Sequence, residues 1–217
     1  MRCQYCHNPD TWASNGGTAM TAEELLTMYE RNKAFYSRGG ITASGGEPLL
    51  QLPFLIELFE KAKTRGIHTC LDTSGITYRE EKRADYDRLF AVTDLVLLDI
   101  KHSDPKGHID LTSQDQTPVL SFAEALCEAN VPVIVRHVVV PGITDREEEL
   151  ANLGHLIGKW RNLKGLEVLP YHTMGIVKYK SLGIPYPLEG VPDMDAAKAK
   201  EAKAKILTAI KESLAGS

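Results

Sequence analysis

The sequence is short of cysteine, with four in 217 residues, at positions 3, 6, 70 and 127. That is too few for a disulfide scaffold of the kind small secreted folds use. Long apolar runs are missing as well. No stretch approaches the roughly 18 apolar residues of a membrane helix, and the start lacks a basic segment followed by an apolar core, so neither a span nor a secretion signal is expected. There is no excess of positive charge either. Twenty-five Lys and Arg stand against 29 Asp and Glu, a net charge of −4, whereas nucleic acid and anionic lipid both select basic surfaces. The expectation is a cytoplasmic protein with no nucleic-acid and no membrane partner. Also absent are a G-x-G-x-x-G phosphate cradle and a nucleophile beside a base, which removes two common routes to enzymatic chemistry.

What is present is the composition of an ordinary globular chain, 43% hydrophobic and 25% charged, and a single domain over 1–217 is the expected organisation. Helix signals alternate with short apolar runs. Thr21 opens "TAEELLTMYERNKAFY" with Glu24 three residues on, a capping box, and "GGITAS" follows as a short strand. "LPFLIELFEKAKTRG" carries Pro53 in its first turn and Gly66 as its stop, ahead of the strand and turn "IHTCLDTSG". A weaker helix over 79–91 leads to "DLVLLDIK", and Ser121 with Glu124 is expected to cap "SFAEALCEAN" before the strand "VPVIVRHVVVPG". A helix over 145–160 leads to "LEVLPYH". Apolar strands separated by amphipathic helices imply βα repeats and a parallel sheet covered on its faces. About five strands are counted, as in an open doubly wound sheet or part of a (β/α) barrel. In the tail "AAKAKEAKAKILTAIKESL", Ile206, Ile210 and Leu214 fall at helical spacing, as in a closing helix laid on the sheet.

In parallel α/β folds the site lies at the carboxyl ends of the strands. The residues there are polar: Ser44, Gly45, Gly46 and Glu47 after the first run, Asp72, Thr73 and Ser74 at the second, and Asp99, Ile100, Lys101 and His102 at the third. Arg136 and His137 fall inside the fourth run, and the fifth ends at Pro170, Tyr171 and His172. Each has an ordinary reading alone: a tight turn for the glycines, a helix cap for Asp72, an ion pair for Asp99 with Lys101, a satisfied core histidine for His172. Together they form a rim suited to a zwitterionic or nucleoside-bearing ligand. Paired glycines admit a close backbone approach, carboxylates accept from ammonium or hydroxyl, and basic side chains hold a carboxylate.

The reactive centre is then sought at Cys3 and Cys6, whose C-x-x-C spacing in a reducing compartment points to a metal or redox site, with Cys70 and Cys127 read as small hydrophobes. A thioredoxin-like pair would open a helix inside a βαβ unit, whereas Pro9 follows closely here. A zinc site would need two more ligands, such as His7 with His102 or His172, and nothing spaces them as a finger.

"RCQYCHNPDTW", "ASGGEPLLQ", "HTCLDTSG", "DLVLLDIK", "VVVPGITD" and "LPYH" resemble, in order and over nearly the whole chain, the radical S-adenosylmethionine (SAM) activases of glycyl radical enzymes, of the pyruvate formate-lyase type. The resemblance implies a partial (β/α)6 barrel and a 4Fe-4S cluster held by the three thiolates of C-x-x-x-C-x-x-C. The iron left open is the position for SAM's amino and carboxylate groups. It further implies reductive cleavage of SAM and removal of a Cα hydrogen from a glycine of pyruvate formate-lyase, fed by a flavodoxin- or ferredoxin-type electron donor. No cysteine-rich insert lies between Cys6 and Gly45, which favours the pyruvate formate-lyase type. Carried over by residue, Cys3 and Cys6 are cluster ligands, Tyr5, Cys6 and His7 line the SAM site, and Gly45, Gly46 and Glu47 receive SAM's methionine amino group. Asp99, Ile100, Lys101, Arg136 and His172 lie around SAM, and Asp72 with Asp99 form a monovalent-cation site.

One feature departs from the pattern. The motif's first cysteine would stand four residues before Cys3, ahead of Met1, so the expectation is a chain without its first barrel strand and first cluster thiolate. Two readings stay open: a fuller protein that is a normal activase, or an inactive short form that keeps partner or SAM binding. Either way the edge of the next strand should be exposed and the chain poorly soluble.

Overall fold

The computed structural model describes residues 1–13, 16–36 and 39–215. Five strands, β1 (Gly40–Ala43), β2 (His68–Thr73), β3 (Leu95–Asp99), β4 (Val133–Val139) and β5 (Leu163–Pro170), form one parallel sheet in the order β1-β2-β3-β4-β5. That order decides between the two architectures. Right-handed crossovers that always step the same way put every connecting helix on one face and curl the sheet, whereas a doubly wound sheet reverses its order midway. The sheet is therefore an arc of a (β/α) barrel. The face expected to be covered on both sides is covered on one. Val96, Leu98 and Ile100 are buried beneath the helices while Leu97 and Asp99 are half-buried on the concave side, and Val133, Val135, His137 and Val139 alternate in the same way with Ile134, Arg136 and Val138.

The helices are α1 (Ala22–Arg31), α2 (Leu52–Thr64), α3 (Arg83–Ala91), α4 (Pro105–Thr112), α5 (Thr117–Glu128), α6 (Glu147–Ile157), α7 (Ile176–Leu182) and α8 (Ala196–Ala215). Thr21 and Glu24 exchange the two bonds of the capping box at α1, and Gly66 takes a positive φ of 66° just past α2, as the residue types require. Ser121 is not a cap. The helix starts one turn earlier, at Thr117, where Asp115 accepts from the Thr117 N–H and hydroxyl and Pro118 sits in the first turn. α4 has no counterpart in the sequence reading, although Asp104 caps it through the Gly107 N–H at 2.7 Å and Pro105 opens it. Its eight residues carry too weak a stripe to stand out beside the longer helices.

Among the described residues β1 pairs with β2 alone, as expected of an exposed edge. Beside β1, between α1 and α2, runs a cavity of about 550 Å³ bounded by Leu25, Met28, Tyr29, Ile41, Phe54 and Leu58. No helix among the described residues is long and apolar enough to cross a membrane.

Candidate functional site

The cysteine pair at the chain's beginning is tied down by backbone. Arg2 and Gln4 donate their N–H groups to the carbonyls of Thr112 and Leu111 at the end of α4, and the Cys6 N–H returns to the Cys3 carbonyl at 3.0 Å. Within this turn Cys3 is buried and Cys6 half-buried. Downstream, Lys178 of α7 donates to Asn8 and Asp10, and the Trp12 ring meets Tyr179 edge-on. A Cβ on Gly175 would lie 3.2 Å from the His7 Cα, so a larger residue just ahead of α7 would push against the Cys6–His7 backbone. These partners explain why the terminal segment has a fixed place. Lys178, Tyr179 and Gly175 gave no sequence signal, since their spacing reads as an ordinary amphipathic turn.

Around this turn stand the residues of the rim. Lys101 places its ammonium 2.8 Å from Asp99 and 5.5 Å from the centre of the Tyr5 ring. Burial opposes the Lys101 charge, but Asp99, Tyr5 and Cys3 outweigh it and hold the amine protonated well above its usual value. Burial also pushes the Cys3 thiol up, partly offset by Lys101. The His7 ring lies 3.9 Å from that of His172, its Nε2 donating to the His172 carbonyl at 3.2 Å, and burial lowers the His7 pKa. Gly45 has a φ of 131° and open space where a Cβ would be, while a Cβ on Gly46 would come within 3.2 Å of the Thr11 carbonyl. The two glycines thus offer bare backbone facing the cysteine segment.

Other rim residues are engaged with one another. Arg136 grips both oxygens of Asp72 at 2.7 and 2.8 Å, and Ser44 donates to the same carboxylate. Glu47 accepts from the Leu49 N–H, from the Ser74 N–H and hydroxyl, and from the Thr73 hydroxyl, so its carboxylate fastens the β1 turn to the end of β2. Ile100 is fully buried on the helix side of the sheet, its N–H bonded to the Arg136 carbonyl and its own carbonyl accepting from His137. Asp72 and Asp99 each already face a cationic side chain, Arg136 and Lys101 respectively. Among the described residues no group of three or more His, Cys, Asp or Glu is placed to hold a metal.

These observations bear on what the site can bind. Three buried polar atoms next to the cysteine turn, the Tyr5 and Tyr179 hydroxyls and His172 Nδ1, have no hydrogen-bond partner among the described residues. Tyr179 lies within electrostatic reach of both sulfurs. Unpaired buried donors of this kind are what a polar ligand lying between the cysteines and the rim would satisfy. The profile of the radical SAM superfamily matches residues 1–154. The chain belongs to that superfamily. Among radical SAM proteins it is 49% identical over 208 residues to the pyruvate formate-lyase-activating enzyme of Streptococcus mutans, covering 94% of this chain and 79% of that one. It is 46% identical over 207 residues to the enzyme of the same name from Staphylococcus epidermidis, covering 93% and 82%. A crystal structure of a domain of pyruvate-formate lyase-activating enzyme from Bacteroides vulgatus superposes with a TM-score of 0.64 at 22% identity, over 79% of this chain and 94% of that one, which shows the shared radical SAM fold.

Radical SAM membership implies a 4Fe-4S cluster and SAM. The donor set here fits SAM better than it fits the cluster. A cluster with one open iron takes three thiolates, and the described residues bring two, Cys3 and Cys6, to this place. Cys70 lies within β2 and Cys127 within α5.

Proposed function

We propose that this chain is the SAM-binding body of an activase for pyruvate formate-lyase, a reading carried by one observation: the Cys3–Cys6 turn is held against Lys101, Tyr5 and the His7–His172 pair at the carboxyl rim of the barrel arc. The names of its relatives support the target. In this reading Lys101, kept charged by Asp99, holds SAM's carboxylate, and the bare backbone of Gly45 and Gly46 receives its amino group. His7 and His172 flank the nucleoside, and Arg136 with Asp72 closes the rim beside it. Asp99 serves as the counter-charge that lets Lys101 remain buried and protonated. The half-open concave face leaves room above the rim for a polypeptide loop carrying the target glycine.

Cleavage of SAM and hydrogen abstraction from that glycine we assign to a protein that carries a third thiolate beside Cys3 and Cys6. Two measurements test the reading. Equilibrium dialysis of residues 1–217 with SAM should show one bound molecule, and Lys101→Met should weaken it at least tenfold; no binding by either protein overturns the proposal. Reconstituted with iron and sulfide under anaerobic conditions, this chain should bind cluster well below stoichiometry, while a version with a cysteine four residues ahead of Cys3 should bind it fully and release 5′-deoxyadenosine on reduction with SAM. A full, SAM-responsive cluster in the chain without that cysteine would refute the two-thiolate account.

A further inference from the structure

On the helix side of the sheet, behind the rim, lies a second polar cluster that the site does not use directly. Glu149, in the first turn of α6, is 5% exposed. Its Oε1 accepts from the Ser103 N–H and its Oε2 from the Ser103 hydroxyl, both at 2.6 Å, and Oε2 is 3.0 Å from His102 Nδ1. One residue back along the chain, the His102 carbonyl accepts from the Gln116 amide that leads into α5. Two residues further back, the Ile100 carbonyl accepts from Nδ1 of the buried His137 on β4 at 2.8 Å. The His102 ring is wedged against α4 so closely that a Cβ on Gly107 would fall 2.3 Å from it. The segment 100–103 is thus bonded at three of its four residues by buried side chains from three different elements.

That segment carries Lys101. Successive residues of an extended chain point to opposite faces, so the groups held from behind, at Ile100 and His102, alternate with the two that face the concave site, Asp99 and Lys101. We propose that Glu149 is a positioning residue for Lys101: with Gln116 and His137 it clamps the strand exit from the helix side, and so holds the ammonium against Asp99 and the Cys3–Tyr5 segment. Among the described residues no hydrogen bond or ion pair joins Glu149 to Lys101 or the cysteines, and Glu149 acts through the backbone between them. Burial opposes its ionisation, yet its bonds to His102 and Ser103 hold the carboxyl below its usual value, so it is a charged anchor. An anchor of this kind matters because Lys101 is a long, flexible side chain that is only 13% exposed, and a small backbone shift moves its head group out of reach of Asp99.

The inference rests on the SAM-site reading for its consequence, and its test separates the two. Amine acylation followed by mass spectrometry reads Lys101 without ligand or cluster. In Glu149→Ala the Lys101 rate should rise at least fivefold while the rates of Lys61 and Lys159 stay within twofold, and Ser103→Ala, which removes one bond and leaves the carboxylate, should give a smaller rise in the same place. Glu149→Gln, which keeps an acceptor for the Ser103 N–H, should restore most of the protection. An unchanged Lys101 rate in folded Ser103→Ala and Glu149→Ala, or an equal rise at all lysines, overturns the clamp; if Glu149→Ala does not fold, Ser103→Ala and Glu149→Gln decide. SAM affinity supplies the second arm. Glu149→Ala should weaken it in the native background and leave it unchanged in Lys101→Met, because a residue that acts through Lys101 has nothing left to act on. Additive losses would overturn the positioning role. Absence of SAM binding in every protein would count against the proposed function, and acylation would still decide the clamp.

Discussion

At the scale of single residues, the buried polar groups divide into those that are paired and those that are not, and the second kind carries a pH signature. His108 in α4 is fully buried, and neither ring nitrogen has a partner among the described residues. Burial, followed by the neighbouring His102 and Lys101 charges, lowers its pKa from 6.5 to about 4. The unfolded chain takes up a proton that the folded chain refuses, so the neutral ring's contribution is complete above the unfolded pKa and is lost as pH falls toward the folded one. By pH 5 the loss is about 2 kcal/mol. His108→Phe keeps the ring shape without the titration, and its urea-unfolding free energy should fall less steeply between pH 7 and pH 5 than that of the native chain. Parallel curves would show that His108 is hydrated and not deprived of its proton. The contrast with Glu149 shows where sequence reading reaches its limit. Asp99, Lys101 and His172 stood out because each lies at the end of an apolar run, and Arg136 because its charge interrupts one, whereas Glu147, Glu148 and Glu149 are three identical side chains that all suit the first turn of a helix. Only the direction of the helix separates the one that is buried.

At the scale of elements, the closing helix shows the same limit in packing. Of the stripe Ile206, Ile210 and Leu214, Ile206 is fully buried and Ile210 packs against the core as expected, but Leu214 is 64% exposed, and the line of closest approach also runs through Ala199, Ala202, Ala209 and Ser213. The reason is on the facing helix. A Cβ on Gly154 of α6 would meet the Ala209 Cβ at 2.5 Å and the Ile206 carbonyl at 2.6 Å, so the two helices touch nearly backbone to backbone and small residues win over large ones. α8 also packs along β5, and it closes the helix layer at that end. Gly154→Ala should therefore destabilise the protein by about 1–3 kcal/mol even though alanine is the better helix former, because α8 must move outward along its backbone. Chemical denaturation checks the sign: a gain in stability would mean that the contact yields freely. The start of α5 teaches a related point. Two capping signals compete within seven residues, and Asp115 with Pro118 prevails over Ser121, adding a full turn whose Val119 is buried.

At the scale of the whole molecule, the parallel sheet followed from the alternation of elements, but that alternation left the strand order open between two architectures, and which face stayed open was not readable either. Leu97 and Val138 are as apolar as Leu98 and Val139, and only the one-sided placement of the helices leaves the former half-covered. Among the described residues the same geometry leaves the outer edge of β1 without a strand on it, next to an apolar cavity whose rim includes Met28, 51% exposed. An unpaired edge flanked by apolar walls is a template for a further strand. The native chain should bind an apolar dye under conditions where it is fully folded, and should associate as its concentration rises. Met28→Lys places a charge on the wall of that cavity without touching the sheet, and should reduce both effects severalfold while leaving the melting temperature within a few degrees. Sedimentation velocity across a tenfold concentration range makes the comparison. If the native chain remains monodisperse and dark to the dye, the β1 edge is covered by something other than solvent, and the association should be sought at the exposed Met174 and Val177 beside the cysteine turn instead.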